Sequence, residues 1–218
     1  MRILNPAKAW ISEFLLLRNI FSGPSGKPLY SYQVSQNEYE SLKSILTEFK
    51  SDYNHPIHSL HWAACFCLFV AETFRREYDA SEGGWAWIGF EDRIKCSFSP
   101  TERKELVEKG LSKYWRRPVH HHENRNDYLG SLFTAGGLPW RLVQNENHGF
   151  GRSVRGGIKN FYKNSESGKT TASLMSEYEY TLPQAFRTLE CRQLLAGIVE
   201  QLVHLANSYP INEQSDPA

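Results

Sequence analysis

The chain carries almost no net charge, no paired-cysteine motif, no long apolar run and no familiar catalytic signature, and each absence narrows its reading. A formal charge of +1 over 218 residues gives the molecule as a whole no reason to seek a polyanion. Its four cysteines, Cys65, Cys67, Cys96 and Cys191, contain no CxxC pair. On a helix, side chains two positions apart diverge by about 200°, so Cys65 and Cys67 are wrongly placed to share a metal. All four read as free thiols packed as small hydrophobes, which suits a reducing cytosol. The longest run of apolar or small residues, 62–71, is half of the roughly 20 residues needed to cross a bilayer. Glu13 interrupts the apolar N-terminal stretch and no cleavage site follows, so a secretory signal is not expected. The expectation is a cytoplasmic protein with no membrane partner.

Catalytic motifs are missing as well. There is no GxSxG, no HExxH and no plausible cysteine–histidine pairing, so hydrolase chemistry lacks a nucleophile. The run Ser167-Gly168-Lys169-Thr170-Thr171 resembles the end of a phosphate-binding loop. That motif, however, needs a glycine where Lys163 stands, and a buried strand where 157–163 reads as helix. No cofactor and no metal are called for. Internal repeats and convincing strand pairs are also absent.

What remains is helical. The stretch 58–78, HSLHWAACFCLFVAETFRREY, is apolar or small at every position from Trp62 to Ala71, so no rotation gives it a polar face and it must be buried. It reads as a central helix. Asn5-Pro6 opens a helix carrying Trp10, Ile11, Phe14, Leu15 and Leu17. Ser35 with Glu38 makes a capping box for a second, and Ser99-Pro100 with Glu102 starts one that runs to about Trp115. Residues 29–34 alternate briefly and read as an extended element. The aromatic cluster of residues 85–90 reads as a plug on the central helix, and the polar run 120–127 reads as a loop. Shorter helices follow at 128–133, 139–144, 151–162 and 171–179, then a long one over 183–207. The spacing predicts an all-α fold, an irregular bundle of about eight helices in one domain over 1–208, with 209–218 as a linker-like tail.

Charge is unevenly placed. Residues 100–169 hold 13 basic and 7 acidic side chains, a local excess of +6. The excess concentrates in Lys113-Tyr114-Trp115-Arg116-Arg117, in Trp140-Arg141, and in the segment 151–163. On a helix, Arg152, Arg155, Lys159 and Lys163 recur at three, four and four, hence on one face. Arginines interleaved with aromatics suit single-stranded nucleic acid, and the glycines near the start of this segment would let a backbone approach a phosphate closely. The candidate contacts for nucleic acid or a partner protein are therefore Arg116, Arg117, Arg141, Arg152, Arg155, Lys159 and Lys163. Two alternatives stand beside this. His120 and His122, on one side of an extended loop, with Asp127 suggest a metal-dependent nuclease, and a structural oligomerisation domain needs no working surface at all. Glu72, at the end of the apolar run, reads either as a buried acid or as the partner of Arg75 or Arg76.

The blocks LYSYQVSQNEYESL (29–42), CFCLFVAETFRREY (65–78), GGWAWIGF (83–90), GLSKYWRRP (110–118) and YLGSLFTAGGLPWRLV (128–143) occur in this order. Together they resemble the N-terminal region of DruH-type proteins of type III Druantia anti-phage systems. The resemblance covers roughly residues 10–205 and brings no catalytic residues with it. It implies a module of a bacterial defence protein, with a helicase-like protein as a possible partner. The family's members are far longer than this chain.

Overall fold

The computed structural model describes residues 5–78, 86–122, 125–141, 149–164, 168–182 and 187–208, and the fold is all-α apart from one small hairpin. Contacts gather the chain into two compact units, 1–140 and 141–218.

In the first unit the helix α3 (Ser59–Glu77) is the axis. Trp62 to Phe74 are all buried, as a helix with no polar face requires. Around it pack α1 (Pro6–Leu16), α2 (Gln36–Glu48), α5 (Pro100–Val107) and α6 (Tyr128–Gly136), together with a π-helical stretch, Glu108–Tyr114, that continues α5. The three expected starts are present: Asn5 accepts the Lys8 N–H at 2.9 Å, and both Ser35/Glu38 and Ser99/Glu102 form complete capping boxes. Cys65 and Cys67 point to opposite sides, toward the carbonyls of Ala7 in α1 and Leu106 in α5, each at 3.7 Å. Burial pushes both thiols up, which keeps them protonated and inert.

Two glycines set how closely helices approach this axis. A Cβ on Gly110 would stand 2.2 Å from the Ala63 carbonyl oxygen, and one on Gly136 would stand 2.6 Å from that of Ala71. Aromatic rings fill the rest of the core. Phe74 stacks on Phe133 at 3.8 Å, and Phe98 meets both Trp62 and Phe66 edge-on. The helix α4 (Trp87–Arg93) brings Trp87 onto Phe66 at 6.4 Å and buries Phe90, so the aromatic plug is real from residue 86 onward; Trp85 lies outside the described residues.

Three expectations are corrected. Leu29–Tyr32 is a 3₁₀ turn, not an extended element, because Leu29 and Tyr32 bury themselves at a spacing of three. The polar run 120–127 is a hairpin, with β1 (His120–His122) antiparallel to β2 (Arg125–Asp127) and His120 opposite Asp127. The final helix begins at Leu189, six residues after Pro183; residues 183–186 lie outside the described set, as do 142–144 of the expected 139–144 helix.

The second unit contains α7 (Phe150–Lys163), α8 (Thr171–Met175) running into a 3₁₀ stretch, Ser176–Thr181, and α9 (Leu189–Ser208), all packed on one another. Among the described residues no helix is long and apolar enough to cross a membrane.

Candidate functional site

The helix α7 forms although it contains Gly156 and Gly157, each of which costs about 1 kcal/mol against alanine in a helix interior. Packing explains them. A Cβ on Gly156 would meet the Tyr178 ring at 2.3 Å, and one on Gly157 would meet Met175 Sδ at 2.2 Å. With Phe150, Ser153 and Asn160 they make the buried face, and Asn160 Nδ2 donates to Glu177 Oε2 at 2.8 Å. For Gly156 and Gly157 the expectation of a backbone open to a phosphate is therefore corrected: they admit neighbouring side chains of their own unit.

The face beside it belongs to the cations. Arg152, Arg155, Lys159 and Lys163 are all exposed, and none makes an ion pair with a described residue. At 3.6 residues per turn the four directions fall within about 80° of arc, along about 16 Å of helix. Residues 149–164 contain no acidic side chain.

The other three sequence candidates lie elsewhere. Arg116 is exposed at a left-handed position (φ 57°) that closes the π-helical stretch. Arg117 is half-buried, its backbone N–H donating to Leu111 O at 3.0 Å and its Nη1 directed at Gly26 O at 3.4 Å, so it fastens a loop. Arg141 is exposed at the start of the second unit. Four of the seven candidates thus share one helix face.

Most described arginines of the first unit are engaged differently. Glu72 is fully buried and takes Arg75 Nη2 at 2.7 Å and Arg76 Nε at 3.1 Å, so it is both a buried acid and a paired one. The ring of Trp140 covers both guanidinium groups, at 4.8 and 5.1 Å, and Tyr39 lies on Arg76 at 5.0 Å. Glu91, also buried, holds Arg103 through two hydrogen bonds of 2.6 and 2.9 Å. Arg18 and Glu38 form a two-pronged pair at 2.8 Å, and Arg93 reaches Glu77 at 2.6 Å. The i,i+3 and i,i+4 spacing after Glu72 was visible in sequence, but the long-range partners Trp140, Glu91 and Glu77 were not.

Of the suggested metal site, the described side chains are engaged otherwise, and the side chain of His122 lies outside the described set. Asp127 directs its carboxylate to the Gly130 N–H at 2.8 Å as the N-cap of α6, and the His120 N–H donates to Ser131 Oγ at 2.8 Å. Among the described residues no group of three His, Cys, Asp or Glu side chains is arranged to hold a metal ion. A different histidine group, unremarked in the sequence reading, sits at the entry to α3. His58 Nδ1 lies 3.0 Å from Asp52 Oδ2, and its ring stacks on His55 at 4.1 Å. Burial holds the His61 imidazole below the usual range, assisted by the charges of Lys8 and His58.

Known proteins divide the sequence at nearly the same place as the contacts do. Residues 2–138 match a family model described as the YjiT N-terminal domain, and residues 145–218 match one described as the YjiT second domain. The chain is 31% identical over 212 residues to Protein YjiT of Escherichia coli (strain K12), an alignment that covers 96% of this chain and 40% of that protein. The chain therefore spans about two fifths of the length of this relative. No solved structure matches.

Proposed function

The chain belongs to the YjiT family, and from that premise we propose that it is a non-enzymatic helical module that contacts nucleic acid through the cationic face of α7. One observation carries the reading: Arg152, Arg155, Lys159 and Lys163 stand exposed on one strip with no described counter-charge, whereas Arg18, Arg75, Arg76, Arg93 and Arg103 all hold carboxylates. Structural cations pair internally, and these four do not. A strip of unpaired cations neutralises phosphates and releases their counterions, which is the sequence-independent part of nucleic-acid affinity. The non-enzymatic half rests on the residues that chemistry would need: Glu72 is locked between two arginines and Asp127 caps a helix. The setting we propose is a cytoplasmic bacterial anti-phage defence protein acting beside a helicase-like partner. That rests on the resemblance of the five aromatic and arginine-rich blocks to DruH-type proteins.

Fluorescence anisotropy with 20-nucleotide single strands and 20-base-pair duplexes between 25 and 200 mM salt tests this directly. Four neutralised phosphates give a log–log salt slope of about −3 on single strands and about −3.6 on duplexes. The triple variant Arg152→Glu, Arg155→Glu, Lys159→Glu is expected to abolish binding while leaving helicity intact. Unchanged binding in that variant overturns the reading, and so does equally tight, equally salt-sensitive binding to polyglutamate, which assigns the face to an acidic protein surface.

A further inference from the structure

The cationic strip of α7 has two unlike edges. One runs into the buried face at Gly156 and Asn160. The other is aromatic: Tyr162 follows Lys159 by three residues and Arg155 by seven, which places it about 20° beyond Arg155 around the helix. It is 50% exposed, a large fraction for a tyrosine on a helix that buries its opposite face. Its ring meets Phe161 edge-on at 6.0 Å, and its hydroxyl lies 3.3 Å from Asn207 Oδ1 of α9. Ile158 and Val154, half-exposed, continue the same edge.

Resting on the nucleic-acid reading above, we infer that the ligand of this face is single-stranded, with its phosphates along Arg152, Arg155, Lys159 and Lys163 and a base stacked on Tyr162. A strand whose bases are unpaired can turn them toward one side of its backbone. The strip offers charge in its middle and an aromatic ring on one flank only, which matches that asymmetry. A duplex keeps its bases stacked inside and gains nothing from the ring. Base–aromatic stacking also tolerates any sequence, because every base has a π-face, so the site is expected to be strand-selective and not sequence-selective.

The experiment compares four probes of equal length by anisotropy on the full chain: oligo-dT, mixed-sequence single strand, an abasic strand with the same number of phosphates, and a duplex. The unaltered protein is expected to bind the two base-bearing strands about tenfold or more tighter than the abasic strand. Tyr162→Ala is expected to remove that difference and to leave duplex affinity within about twofold, while Tyr162→Phe, which keeps the ring, retains it. Equal affinity for the abasic and base-bearing strands overturns the stacking inference using the unaltered protein alone, whatever the variants do to folding. If strands and duplex bind and charge reversal abolishes both, but the abasic strand binds as well as the others, the cationic reading stands and stacking falls. Should no probe bind at all, the nucleic-acid reading falls and takes this one with it.

Discussion

Gly110 lies flush against Ala63, so close that a Cβ would stand 2.2 Å from the Ala63 carbonyl oxygen and 2.5 Å from Cys67 Sγ. The neighbour it would strike first is backbone at the middle of a buried helix, which has no rotamer to yield. Gly110→Ala is therefore expected to destabilise the first unit by about 3 kcal/mol, at the upper end of overpacking penalties and against the usual helix-propensity gain of alanine. Urea unfolding followed by tryptophan fluorescence measures this, since Trp62 and Trp115 are fully buried in the same core.

Glu72 is the only described carboxylate that faces two arginines at once, Arg75 and Arg76, with none of its surface exposed. Replacing it by glutamine keeps the shape but leaves two guanidinium groups adjacent and partly desolvated. Removing one partner of a buried ion pair costs about 3–5 kcal/mol because the other charge is left uncompensated. Glu72→Gln is expected to fall in that range, and the double change Glu72→Gln, Arg76→Met to recover part of it. A double-mutant cycle in urea gives the coupling.

What was legible in the sequence was local. Ser35 with Glu38 and Ser99 with Glu102 announce helix starts because each cap is closed within three residues. The all-apolar run 62–71 fixes a buried axis because burial follows from composition alone. The cationic face followed from its three-four-four spacing. Nonlocal relationships were not legible. Leu29-Tyr30-Ser31-Tyr32 alternates in type like a strand, but the pair that reaches the core is spaced by three. The hairpin at 120–127 carries no apolar alternation and is closed by Ser131 and the capping Asp127, which lie outside periodicity altogether. Gly156 and Gly157 satisfy both a phosphate cradle and a tight helix contact, and only the Tyr178 ring and Met175 decide between the two.

His61 gives the first unit an acid limit. Its imidazole is held below the ordinary value of 6.5 first by burial and then by Lys8 and His58. A histidine depressed in the folded state stays neutral there while the unfolded chain takes up its proton. The contribution is therefore complete above about pH 6.5 and is lost as pH falls from there through the folded value. His61→Gln is expected to flatten the decline in stability over that window without changing stability at pH 8 by more than the effect of the substitution itself. Thermal unfolding between pH 5 and 8 reads both.

Gly156 and Gly157 of α7 offer the sharpest check on how its cationic face is supported, because their obstacles differ in stiffness. A Cβ on Gly156 meets the edge of the Tyr178 ring at 2.3 and 2.6 Å, and a ring cannot bend out of the way. A Cβ on Gly157 meets Met175 Sδ at 2.2 Å and Val199 Cγ2 at 3.0 Å, and the methionine has three rotatable bonds with which to withdraw. Both substitutions gain about 1 kcal/mol of helix propensity. For Gly157→Ala that gain roughly offsets the repacking of Met175, so the variant is expected within about 1 kcal/mol of the parent. For Gly156→Ala the ring must move or the helix must lift, and a loss of about 2 kcal/mol is expected. Far-ultraviolet dichroism on thermal unfolding separates them. A reversed order, with Gly157→Ala the worse of the two, would show that α7 is held by Met175 and Val199 and not by the Tyr178 ring.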